Sequence, residues 1–315
     1  MTKTVTAVAL LGLAGEGRLG LDEPLGELLP AGLVDRLGGL GDLRVITSRQ
    51  LLAHTAGLYD YFHDPAFEAR VAADPKRPWA PLELLAHAAR HGEPNFPPGE
   101  GFGYSDSGYV LVGLAIEHLV AEPLHAVYRA RILDPLSMDA SYLEGHEPAR
   151  GAEPAHHYRG ETDMSAVTPT IDWAGGGLVT TAPDLARFVR GLWSGQLLSA
   201  ELRTELTRWT PGAHFPPGIA VRYDDYGLGI GRVAIEGLEL IGHTGFWGAF
   251  AWYAPEHDAV LVGTHNDATV DRAPLVAELC GALRAGAATS SGPSCKSRAD
   301  TASENRARRG RREAK

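Results

Sequence analysis

Cysteine is scarce. The two present, Cys280 and Cys295, are too few for a disulfide framework, and the second lies in a polar tail, so disulfides are not expected to hold the fold together. Long apolar runs are missing too. No stretch approaches the roughly 18 consecutive apolar residues that cross a bilayer, so no transmembrane helix is expected. Internal repeats are absent, which sets solenoids and propellers aside. Positive charge is concentrated at one end. Residues 296–315 carry eight Lys or Arg against three acids, so the net charge of -10 leaves the rest of the chain about 15 negative. A basic nucleic-acid groove in the body is not expected on that balance. The stretch from Ala287 to Lys315 has no apolar period and reads as a disordered, solvated basic tail.

Several catalytic signatures are missing as well. The Gly-x-Ser-x-Gly elbow fails because Gly103-Tyr104-Ser105-Asp106-Ser107 ends in the wrong residue. There is no His-Glu-x-x-His, no Cys-x-x-Cys and no P-loop. The thirteen histidines are scattered, with His156 and His157 adjacent rather than at ligand spacing, so no metal or other cofactor is expected.

What is present is a chain 44% hydrophobic and long enough to bury a large core. Residues 4 to 14 are apolar nearly all round and stop at Gly15 and Gly17, which predicts a buried helix. A short secretory signal is the competing reading, but no Ala-x-Ala cleavage site follows and the pattern runs on without a break. Export and compartment stay open. Ile46 to Leu58 predicts a short helix with a Thr47 or Ser48 cap and a Gly57 stop. Asp64 to His91 reads as helical with Pro interruptions, NFPPGEGFGYSDSG as a loop, and Tyr109 to Leu119 and Leu124 to Ile132 as helices. Past Trp173 a glycine turn leads to a helix signalled by Thr181, Pro183 and Asp184. Four short strands follow, separated by turn signals such as Glu236-Gly237, and an amphipathic helix over Asp271 to Leu283 closes the body. Helices, then an antiparallel meander, then one helix define an α+β arrangement.

Five segments carry a family resemblance, and they occur in order: ITSRQLLAHTAGL, FPPGEGFGYSDSGYVLVG, ILDPLSMDAS, AGGGLVTTAPDLARF and HTGFWGAF. Together they resemble the serine β-lactamase and penicillin-binding-protein superfamily, in its class C, D-alanyl-D-alanine carboxypeptidase and esterase branch. The resemblance runs from Thr2 to about Asn266. It implies a β-lactamase/transpeptidase-like fold, an antiparallel sheet with helices on both faces and an inserted helical domain. Residues 1–44 and 175–286 would then form the sheet-and-helix domain, 45–174 the mostly helical one and 287–315 the tail.

The family's nucleophile is the serine of Ser-x-x-Lys at the start of the buried helix. Positions i and i+3 share a helix face, so the amine lies beside the hydroxyl, which also sits at the positive end of the helix dipole. Lys3 matches that lysine. The serine would fall one position before Met1, so the expectation is a chain that begins after its nucleophile and after the strands that precede it. Ser105 and Ser107 are not candidates, because neither is followed three residues later by lysine.

Other roles follow from the resemblance. Tyr104 matches the tyrosine that shuttles a proton, with its pKa lowered by the lysine. His243 stands where Lys-Thr-Gly is more frequent, and is expected to hold a substrate carboxylate when protonated or to relay protons. Thr244 and Gly245 would form the substrate-binding strand edge, and the backbone N–H of Phe246 one oxyanion donor. Asp106 departs from the family's asparagine, placing a charge beside Lys3 where an amide would donate. His54 is expected to be structural. Trp173, Phe246 and Trp247 are candidates to line the acyl pocket, with an ordinary place in the core as the alternative. The resulting expectation is a serine hydrolase acting through an acyl-enzyme on a small-molecule or peptide substrate, an ester, a D-amino-acid peptide or a β-lactam. The alternative is a non-catalytic member that binds ligand without being acylated. Oligomeric state is open.

Overall fold

The computed structural model describes residues 1–210 and 223–290, with side chains as far as residue 286. Its centre is the first helix, α1 (Thr2–Gly15), which is buried along almost its whole length. Polar groups at such positions need partners, and the hydroxyls of α1 have them. Thr4 donates to the carbonyl of Gly229 at 2.7 Å, Thr6 to that of Ala174 at 2.6 Å, and Thr2 accepts the N–H of Leu178 at 3.1 Å. Each bond ties α1 to a different segment. The helix ends where the glycines predicted, with Gly17 in the left-handed region at φ 73°.

Around α1 lie α2 (Leu33–Arg36), α3 (Ser48–Leu52), α4 (Pro65–Ala73), α5 (Pro81–His91), α6 (Asp106–Val120) and α7 (Leu124–Tyr128). Thr47 caps α3 in a capping box with Gln50. The stretch from Asp64 to His91 is two helices, each opening on a proline whose missing N–H costs nothing in the first turn. Later come α8 (Trp173–Gly176), α9 (Ala182–Trp193), capped by Thr181, and α10 (Ala200–Leu206). Three two-residue strands, β1 (Tyr142–Leu143), β2 (Tyr158–Arg159) and β3 (Thr162–Asp163), precede β4 (Leu178–Val179), which pairs with β1.

The main sheet lies wholly beyond residue 224. Strands β5 (Asp225–Tyr226), β6 (Gly231–Ile235), β7 (Leu238–Thr244), β8 (Phe250–Ala254) and β9 (Ala259–Gly263) form an antiparallel meander in sequence order. Glu236 and Gly237, both at positive φ, make the tight β6–β7 turn, as hairpin turns of this hand require. Leu240, Phe250, Trp252 and Leu261 pack with Val276 and Cys280 of α11 (Ala273–Ser290). Ile241, Ala251, Tyr253 and Val260 join the larger core, where Tyr253 stacks on Trp193 of α9. Helices therefore cover both faces of the sheet. One apolar cluster runs from α1 through α6 to Ile241 and Ala251, so the helical part and the sheet share a core. Helix α11 continues to Ser290, beyond the Leu283 suggested by sequence. The remainder of the expected tail, 291–315, lies outside the described residues.

Candidate functional site

Two distant segments, residues 104–109 and the Gly175 turn, meet Lys3 in the first turn of α1. Its ammonium forms an ion pair with Asp106, the first residue of α6, and donates to the carbonyl of Gly175 at 3.1 Å. It lies 4.8 Å from the ring centre of Tyr104 and 5.4 Å from that of Tyr109. The pair is buried, with side-chain exposures of 6% and 7%. Glycine at 175 leaves room for the pair, since a Cβ there would lie 2.5 Å from Asp106 Oδ1 and push the carboxylate aside. The glycine turn read from sequence is thus the wall that lets lysine and carboxylate meet.

The carboxylate environment is crowded. The backbone N–H of Asp106 donates to Asp60 Oδ1 at 2.9 Å, which anchors the start of α6. Asp60 Oδ2 is buried and accepts no hydrogen bond, with His63 Nε2 standing 4.0 Å away. Burial and the neighbouring charge of Asp106 push Asp60 up to about 8 and Asp172 up to about 7. For Lys3, burial alone would favour the neutral amine. Asp106, Tyr104 and Asp172 outweigh it and raise the lysine well above its ordinary value, so Lys3 stays an ammonium in this arrangement.

Tyr104 differs from expectation. Lys3 lowers it by charge and by a hydrogen bond, but burial raises it more, and the phenol ends above its ordinary value. The sequence suggested a lowered phenol because it shows the lysine and not the burial. His54, as expected, holds the backbone. It adopts φ 57°, its Nδ1 accepts the N–H of Ser105 at 3.1 Å, its carbonyl accepts that of Gly103 at 2.9 Å, and its ring packs 4.2 Å from Tyr104. Tyr104 is therefore fixed from behind by His54 and faces Lys3.

Strand β7 closes the site. The Met1 amino nitrogen is 3.4 Å from the carbonyl of Thr244, so the start of α1 abuts the strand end. Tyr223 accepts the N–H of Thr244 at 2.8 Å, and the buried Arg272 donates to the carbonyl of Gly245 at 2.9 Å. His243 is 3% exposed. Its Nδ1 faces the carbonyl of Thr244, which can only accept, so the proton sits there and Nε2 accepts from Tyr226 at 2.9 Å. Burial, followed by the nearby positive groups, holds it well below the ordinary histidine value. A neutral imidazole with both nitrogens engaged offers no charge to a substrate carboxylate, and this corrects that part of the expectation for His243.

The expected pocket aromatics separate. Phe246 is 45% exposed and makes edge contacts with Phe62 and Trp247. Trp173 is 1% exposed, at φ 33°, with its ring filling the space opposite Gly113, where a Cβ would lie 2.6 Å from it. Trp173 belongs to the core. Of the two loop serines, Ser107 accepts the N–H of Tyr61 at 3.3 Å and Ser105 is 4% exposed. Sequence reading missed Asp60, Asp172, Tyr223, Tyr226 and Arg272. Asp60 and Asp172 lie just beyond the recognised ITSRQLLAHTAGL and just before AGGG, so proximity to those segments was the available signal.

A buried lysine at the head of a core helix, a tyrosine loop and the end of an antiparallel strand define the β-lactamase/transpeptidase type of fold. The chain belongs to the Beta-lactamase family, whose family model matches residues 1–279. A D-stereospecific amidohydrolase from a Streptomyces species superposes with a TM-score of 0.78 at 33% identity, covering 89% of this chain and 85% of that one. The protein flp of Staphylococcus aureus is 33% identical over 137 residues, 44% of this chain and 26% of that protein. Esterase EstB of Burkholderia gladioli is 31% identical over 160 residues, 50% of this chain and 40% of that one. The chain thus spans between a quarter and two fifths of the length of these two curated relatives.

Proposed function

We propose that the protein is a serine hydrolase that cleaves an amide or ester through an acyl-enzyme, with D-amino-acid amides and peptides as the first substrates to test. The observation that carries this reading is the meeting of Lys3, Tyr104 and Asp106 at the start of α1, beside the Thr244–Gly245 strand end. The likeness to an amidohydrolase and an esterase supports amide and ester substrates. β-Lactams are less well supported, because they are anionic and Asp106 adds negative charge where the family has an amide.

In this reading the nucleophile is a serine three positions before Lys3, one before Met1. Its hydroxyl loses a proton, as it attacks the acyl carbon, to the Lys3–Tyr104 pair in the form that has first given one proton up to solvent, the form that gains population along the ascending limb of the pH–rate profile. The same pair returns the proton to the leaving amine or alcohol, and water then repeats the sequence in reverse to release the acid. The backbone N–H of Phe246 and that of the serine would stabilise the oxyanion. Thr244 and Gly245 would align the substrate along β7, His243 would hold Tyr226 and the strand end in place, and Phe246 and Trp247 would form the outer rim.

The second reading, a ligand-binding member that is not acylated, is favoured for the 315-residue chain by one fact. Ser105, the N-cap of α6, and Ser107, in its first turn, belong to the segment that meets Lys3 and lack the i, i+3 relation to lysine. A fluorescent fluorophosphonate or penicillin probe separates the readings. A version with serine placed directly before Met1 is expected to label covalently, and Lys3→Ala in that version to abolish labelling. Labelling of the 315-residue chain would show that the nucleophile lies elsewhere, and failure of both probes on the folded, serine-bearing version would favour binding alone.

A further inference from the structure

Apart from the Lys3 cluster, three metal-ligating side chains converge between α4 and α5. Asp64 is the N-cap of α4, and His87 and His91 lie one turn apart at the end of α5, on one helix face. Their donor atoms all lie within 4.8 Å of one another. From these positions we infer that Asp64, His87 and His91 bind a divalent transition-metal ion of the zinc type. The distance from Asp64 Oδ1 to His87 Nε2 is 3.2 Å. That is close to the edge of a zinc tetrahedron, about 3.3 Å for bonds of about 2.0 Å. The ion therefore fits between these two atoms with the backbone as it stands.

The surroundings supply what such a site needs. Asp64 is oriented by the phenol of Tyr59, which donates to Oδ2 at 2.6 Å, and by the N–H groups of Ala66 and Phe67, which donate to Oδ1 at 2.7 and 2.9 Å. His87 is fully buried and Asp64 5% exposed, while His91 is exposed and gives the ion a way in and room for a water in the fourth position. The two imidazoles stack at 4.1 Å with an interplanar angle of 12°, so the exposed His91 ring stands beside its partner and has to swing off the stack to bring a nitrogen to the ion.

One exchange accompanies binding. Arg70 donates to His87 Nδ1 at 3.3 Å, which leaves the ring proton on Nε2 and shared with Asp64. The ion takes the place of that proton, the proton moves to Nδ1, and the exposed Arg70 side chain turns away. The metal would then clamp α4 to α5 beside the segment that carries Asp60.

The test uses the untagged 315-residue protein, stripped with a chelator and titrated with Zn²⁺ by calorimetry and with Co²⁺ by visible absorption. One ion per chain is expected. Asp64→Asn keeps the cap, and His91→Ala changes an exposed residue. Each is expected to weaken binding about 10–100-fold while leaving the circular dichroism unchanged. Arg70→Ala is expected to tighten it. Absence of one-to-one binding in the wild type, or affinity unchanged in His91→Ala, would overturn the assignment.

Discussion

Lys3 and Asp106, 103 positions apart in the chain, form a buried ion pair at the centre of the candidate site. An asparagine at position 106 would leave the lysine a hydrogen bond but no counter-charge. The aspartate keeps the lysine protonated, which suits it to donate a proton and sets the pH at which it can accept one. The rest of the site is built around that relationship. Gly175 makes room for it, Asp60 holds the backbone of Asp106, and His54 holds the tyrosine that faces Lys3.

Asp106→Asn in the serine-bearing version is expected to move the ascending limb of its pH–rate profile to lower pH by about 1–3 pH units, because the opposite charge that raises Lys3 is removed. A limb that stays in place would show that Lys3 is not the group being titrated.

Tyr104→Phe removes the phenol and keeps the ring against His54. The expected result is a fall in kcat of about 10²–10⁴ with little change in KM and in thermal stability. A loss confined to KM would assign Tyr104 to binding.

Gly175→Ala places a methyl group 2.5 Å from Asp106 Oδ1. The Asp106 carboxylate, held by Lys3, would have to shift, and destabilisation of about 1–3 kcal/mol is expected. Urea unfolding measures it, and an unchanged midpoint would mean that the wall around the ion pair is soft.

Stability should respond to pH through groups of opposite sign. Between the ordinary carboxylate value of 3.8 and about 8 the native state keeps the Asp60 proton that the unfolded chain loses, so this group makes stability fall as pH rises. His54 and His243 are held neutral in the native state, whereas the unfolded chain binds protons below about 6.5, so they make stability rise with pH up to that value. Asp60→Asn preserves the acceptor for the Asp106 N–H and removes only the first effect. Its Tm relative to wild type is therefore expected to increase from about pH 5 to about pH 8. A constant difference would show that Asp60 is ionised throughout.

Much of the fold was legible before any coordinates. An all-round apolar run, caps such as Thr47 and Thr181, and turn pairs such as Glu236-Gly237 act through local sterics and hydrogen bonds, which a linear sequence displays. The buried helix, the meander and the closing helix all followed from them. Lys3, Tyr104, Asp106 and His243 were legible through family segments. Only the tertiary structure decided their electrostatic state. Burial and the charges that surround each group depend on which distant segments are packed together. Asp106, Tyr104 and Asp172 keep Lys3 charged, burial raises Tyr104, and burial with the neighbouring positive groups leaves His243 neutral. Packing likewise sent Trp173 to the core and brought Asp64 to His87 and His91, because side-chain surroundings are a property of the folded chain and not of spacing along it.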